Sequence, residues 1–120
     1  EGTVMKVVYE ILVALHIVGV IAIGWGFFSQ ISKEKKEINP GILHGASLQF
    51  LTGIIMVGLR EADAIAGEEP LNMMIVGTKL IVVIAILLAA VKGKRATDAK
   101  KFWLASGLLW AVNIALAMML

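Results

Sequence analysis

The sequence predicts an all-α membrane protein, an antiparallel bundle of four transmembrane helices with both termini outside. Composition, the grouping of apolar residues and the placement of charge carry this expectation. The 120-residue chain is 59% hydrophobic and 17% charged, with a mean hydropathy of +0.89. Soluble domains hold about 45–50% and about 25% respectively. The apolar residues fall into four runs, each about the 17–25 residues that cross a ~30 Å hydrocarbon core as a helix. The bilayer is therefore the first partner. A soluble enzyme and a nucleic-acid-binding domain are excluded, and no nucleic acid is expected as a partner. The lack of cysteine removes disulfide frameworks, iron–sulfur clusters and thiolate metal sites.

The spans are expected at about 7–28, 41–59, 71–91 and 102–120, forming one domain over 1–120. The first is a true span and not a cleaved leader. It lacks a basic start, its apolar run is too long, and Gly24, Trp25, Gly26, Phe27 and Phe28 make a poor cleavage site. Asn39, Pro40 and Gly41 stop one element and open the second span, because proline suits the first helical turn. Glu69 and Pro70 do the same before the third. The connectors 30–40, 60–70 and 92–101 are too short to hold another domain.

Orientation follows from the basic residues. Lys33, Lys35 and Lys36 lie in the first connector, and Lys92, Lys94, Arg95, Lys100 and Lys101 in the third; together they are most of the 11 basic residues. The middle connector has Arg60 against Glu61, Asp63, Glu68 and Glu69. Lys and Arg mark cytoplasmic loops. A multi-pass protein of the cell membrane is expected, with connectors 30–40 and 92–101 cytoplasmic. Trp25, Phe27, Phe28, Phe102 and Trp103 fit an inner aromatic belt and Tyr9 an outer one.

Polar side chains within spans cost about 2.5–3.5 kcal/mol each at the bilayer centre when charged. His16, Lys79 and Asn113 fall ~3–4 Å to the outer side of the midplane, and Gln49 ~2 Å to the inner side. The expectation is one intramembrane polar layer of His16, Gln49, Lys79 and Asn113, one residue from each span. Helical spacing puts Gly19, Ile23 and Gly26 on the His16 face, where small residues let helices approach. Lys79 snorkels to the outer interface, forms an ion pair with Glu10, or meets a carboxylate on a neighbouring protein. His16 and His44 differ by ~13 Å in depth, too far to share one upright haem. No phosphate loop, zinc helix or catalytic triad occurs. No catalytic residue, metal or cofactor is expected.

Several segments carry a resemblance: Leu15 and His16 before a Gly-rich helix end, Asn39 to Gly45, and Thr52 and Gly53 followed by Val57, Gly58 and Leu59. Lys79 and Leu80 continue it, as do Trp103, Leu104, Ala105 and Asn113. Across most of its length the chain resembles small four-span actinobacterial integral membrane proteins of unassigned function. The resemblance implies a non-catalytic accessory subunit of the cytochrome bc–cytochrome c oxidase respiratory supercomplex, packed against other integral membrane subunits. Two alternatives stay open. One is a small homo-oligomeric transporter or channel built on the polar layer; the other is a haem- or quinone-binding membrane protein.

Replacing Lys33, Lys35 and Lys36 by Glu is expected to weaken cytoplasmic retention of the first connector. The cysteine-free chain suits cysteine-accessibility labelling, and a connector that stays cytoplasmic and fully inserted would contradict the orientation.

Overall fold

The computed structural model describes residues 2–61 and 73–119, whose regular structure is entirely α-helical. The elements are α1 (Gly2–Phe28), α2 (Pro40–Glu61), α3 (Met73–Arg95) and α4 (Lys100–Met118). All four are long and apolar enough to cross a membrane. Even α4, with 19 residues, extends ~28 Å.

The helices outrun the apolar spans most at two ends. α1 begins at Gly2 rather than near Val7, and α3 continues to Arg95 rather than ending near Val91. Hydropathy marks where hydrocarbon ends, whereas a helix continues while its side chains favour it. Lys92, Lys94 and Arg95 are good helix formers, and their charge suits the negative end of the helix dipole. The expected connector 92–101 thereby shrinks to residues 96–99. Asp98 closes it by accepting from the Lys100 N–H at 3.1 Å.

The end of α1 is tied down by side chains. The Gly26 carbonyl accepts from Gln30 Nε2 and Asn39 Nδ2, both at 3.0 Å. Asn39 Oδ1 then accepts from the Ile42 N–H at 3.2 Å, so one amide closes α1 and caps α2. Lys36 turns inward: its ammonium donates to the carbonyls of Gln30, Ile31 and Lys33 at 2.6, 2.8 and 2.5 Å.

Each helix packs on its sequence neighbours, and α4 closes on α1. Contacts between α1 and α2 run in opposing order: Gly26 meets Ile42, Gly19 meets Gly45, and Tyr9 meets Arg60. A Cβ on Gly19 would stand 2.9 Å from the Gly45 carbonyl oxygen, and one on Gly45 would stand 2.8 Å from the Gly19 oxygen. The two backbones touch, which only glycine allows. One core cluster joins Ile23, Ala46, Val82 and Ile86 from α1, α2 and α3, with Leu109 and Trp110 of α4 against it. A second joins Ile38, Ile42, Ala90 and Trp103, so both basic turns sit at one end of the bundle.

Trp103 departs from the aromatic-belt expectation. It is 5% exposed, stacks on Phe27 with ring centroids 4.3 Å apart, and donates its indole N–H to the Phe27 carbonyl at 3.0 Å. Gly107 leaves room for the Phe27 ring. Lys36 Nζ lies 4.7 Å from the Trp103 ring centroid. Depth in the bilayer indicates an interfacial tryptophan but says nothing of the face it occupies. Trp25 and Phe28 do point outward.

Gly19→Leu is expected to destabilise the bundle by about 1–3 kcal/mol, the usual penalty of overpacking. Ile21 is 62% exposed, and Ile21→Leu should stay within about 0.5 kcal/mol. Thermal unfolding in detergent compares them; equal melting temperatures would put the α1–α2 contact on the wrong face.

Candidate functional site

The four polar residues spread over ~10 Å, almost two helical turns, along their helices. At 1.5 Å per residue from the basic end, Gln49 stands ~14 Å in, His16 ~18 Å, Asn113 ~20 Å and Lys79 ~24 Å. They meet around two cavities. One, of about 100 Å³, lies among α1, α2 and α3 and includes Tyr9, Met56 and Val76 in its wall. The other, about 320 Å³, lies toward α4 and includes Val20, Trp110, Asn113 and Ile114. His16, Gln49 and Lys79 line both and form the partition between them.

The His16 side of the layer is closed by hydrogen bonds. Its Nδ1 lies 2.8 Å from Thr52 Oγ1. The Thr52 hydroxyl donates its only proton to the Leu48 carbonyl at 2.7 Å, so toward histidine it can only accept. Nδ1 therefore carries the ring proton. Nε2 offers its lone pair to Gln49 Nε2 at 3.4 Å. The chain histidine–threonine–carbonyl joins α1 to α2 and ends on backbone. At the end of the first cavity away from the basic turns, Arg60 donates to the Tyr9 hydroxyl at 3.2 Å.

The other side is open. The Asn113 side chain is 4% exposed, yet its Oδ1 has no hydrogen-bond partner among the described residues. Asn113 thus bonds to neither His16 nor Gln49, its nearest candidates by depth. Trp110, one turn earlier on α4, donates its indole N–H to the Val20 carbonyl at 2.9 Å and so fastens α4 to α1 beside the layer. Lys79 is half-buried and forms no ion pair or hydrogen bond among the described residues. Glu10 is exposed on α1, lines neither cavity, and does not pair with Lys79.

His44 is exposed near the start of α2. The residue that His16 does bond, Thr52, lies eight positions further along the same helix, ~12 Å away. Among the described residues no group of three or more His, Cys, Asp or Glu side chains is placed to hold a metal. Asp63, Glu68 and Glu69 of the acidic connector lie outside the described residues.

Thr52, Tyr9 and Trp110 join the site although depth and hydropathy did not single them out as site residues. Their signal was spacing: Thr52 follows Gln49 by three residues, Tyr9 precedes His16 by seven, and Trp110 precedes Asn113 by three. Each shares a helix face with a polar residue.

The four apolar helices are those of a multi-pass membrane protein. No protein-family model, curated protein or solved structure matches the chain.

A double-mutant cycle over His16→Leu and Thr52→Val should give a coupling of about 0.6 kcal/mol, with about 1.7 kcal/mol as the ceiling for interhelical hydrogen bonds in lipid. Unfolding free energies in detergent measure it. Strict additivity would show that the bond contributes nothing.

Proposed function

We propose that this chain is a non-catalytic accessory subunit of a larger membrane complex, held in the cell membrane as an antiparallel four-helix bundle. Both termini lie outside, and the turns at 30–40 and 92–101 face the cytoplasm. The orientation draws support from the basic residues, which gather at the end where Ile38, Ala90 and Trp103 pack together. The function draws support from one arrangement. The hydrogen-bonded polar groups of the layer turn inward and end on backbone, as Thr52 does on Leu48. Meanwhile the outer face of α1 is a continuous apolar ridge of Val4, Val8, Ile11, Leu15, Val18 and Trp25, all exposed in the isolated chain. Steps of three, four and seven residues are those along which one helix seats against another. Such a ridge suits the flank of a neighbouring subunit.

The partner class comes from the resemblance, which names the actinobacterial cytochrome bc–cytochrome c oxidase supercomplex and its integral membrane subunits. Affinity purification of the tagged chain from its native membrane in mild detergent, followed by mass spectrometry, tests this. Co-purification of other integral membrane subunits is expected, and Ile11→Lys with Val18→Lys on the ridge should abolish it. A chain that migrates alone at its monomer mass would overturn the reading, and a homo-oligomer without other subunits would favour the transporter or channel built on His16, Gln49, Lys79 and Asn113.

A further inference from the structure

We infer that the α3–α4 corner is a binding site for the phosphate headgroup of an anionic phospholipid, whose acyl chains lie along the apolar strips beneath it. This inference is independent of the accessory-subunit reading and of which side of the membrane the corner faces.

The corner gathers charge that the chain does not neutralise. Lys92, Lys94 and Arg95 close α3, Lys100 and Lys101 open α4, and all five are exposed. A Cβ on Gly93 would stand 2.8 Å from the Phe102 Cβ, so the last turn of α3 rests on the first turn of α4 and brings the two basic groups together. Asp98 is the single acid between them, and its carboxylate accepts from the Lys100 backbone N–H. None of the five basic side chains forms an ion pair or hydrogen bond among the described residues. Lys101 Nζ has the face of the Phe102 ring, 5.1 Å from its centroid. At the start of α4 an open recess of about 390 Å³ is lined by Asp98, Lys100, Lys101 and Leu104.

Below this charge each helix turns apolar on the same face. On α4, Leu104 and Leu108 follow Lys101 at steps of three and four residues. On α3, Val91, Leu88 and Ile84 precede Arg95 at steps of four, three and four. All five apolar side chains are exposed. A phosphate diester fits the head of these strips: Arg95 can bond two of its oxygens at once, and the lysines act as point charges. A zwitterionic headgroup brings its own cation and gains less from five others. A free anion or an acidic peptide would answer the charge but leave Leu104 and Leu108 uncovered. Phosphate tethered to acyl chains meets both, with the headgroup in the recess and hydrocarbon along the strips. The α1–α2 turn at the same end is the internal comparison, since its Lys33 and Lys35 stand beside Glu34 and Glu37.

The test uses the full chain in phosphatidylcholine nanodiscs doped with a phosphatidylglycerol probe that carries a diazirine high on one acyl chain. Saturable labelling is expected on peptides from 88–108, and the matching phosphatidylcholine probe should label them far less. Lys100→Gln with Lys101→Gln should lower labelling about tenfold, equivalent to about 1.4 kcal/mol, in keeping with the attraction of basic residues to anionic lipid. Lys100→Arg with Lys101→Arg should retain it. Thr97→Glu, which adds an acid beside the cations and removes none, should lower it too and decides the matter if the double Gln variant fails to fold. Lys33→Gln with Lys35→Gln should change little. Labelling that never saturates, that falls equally on 29–41, or that is equal for the phosphatidylcholine probe would overturn the proposal. So would full labelling of the double Gln variant. Displacement of the probe by millimolar inorganic phosphate would reveal a site for a free anion and overturn the lipid assignment.

Discussion

A helix that leaves a membrane carries its last carbonyls into the region where water begins, and each needs a donor. At the end of α1 this requirement organises much of the molecule. Gly26 is served by Gln30 and Asn39, Phe27 by the Trp103 indole, and the following turn by Lys36. Those donors come from the connector and from α4. Asn39 then caps α2, so the place where α2 starts depends on where α1 stops. Trp103 fixes α4 against the same turn, and Phe27 is held between the Trp103 ring and Gly107.

Deeper in the bundle the hydrophobic effect cannot choose among helix pairings, since lipid tails are as apolar as leucine. Shape and hydrogen bonds take over. The Gly19–Gly45 contact brings α1 and α2 close enough for His16 to reach Thr52. Trp110 joins α4 to α1 through Val20. The layer is thus polar for two different reasons. Its α2 side consists of bonds that hold helices in register, while Asn113 Oδ1 on α4 and the Lys79 ammonium on α3 have no partner among the described residues.

The spans were legible because hydrocarbon thickness imposes a length on any apolar run. The glycine face of α1 was legible too, since Gly19, Ile23 and Gly26 share one side by spacing alone. Lys36 was not. A lysine among Lys33, Lys35, Glu34 and Glu37 has the look of solvated charge, and only the folded turn gathers three carbonyls around its ammonium. Trp103 escaped for a related reason: hydropathy gives depth but not azimuth. Depth likewise brought Asn113 into the layer but could not say that its oxygen bonds to neither His16 nor Gln49. The end of α3 was missed because charge stops a membrane span without stopping a helix.

The burial of Lys36 also alters how the molecule appears electrically from outside. With that ammonium facing inward, the α1–α2 turn exposes Lys33 and Lys35 against Glu34 and Glu37, and these formal charges cancel. At the α3–α4 turn Lys92, Lys94, Arg95, Lys100 and Lys101 are all exposed, with Asp98 as their only acidic neighbour there. The two turns look alike as strings of letters, but the positive pole of this end lies off-centre, over α3 and α4. An anionic surface at that end would meet a molecule with a charged side and a nearly neutral one, and would draw the α3–α4 corner toward it first.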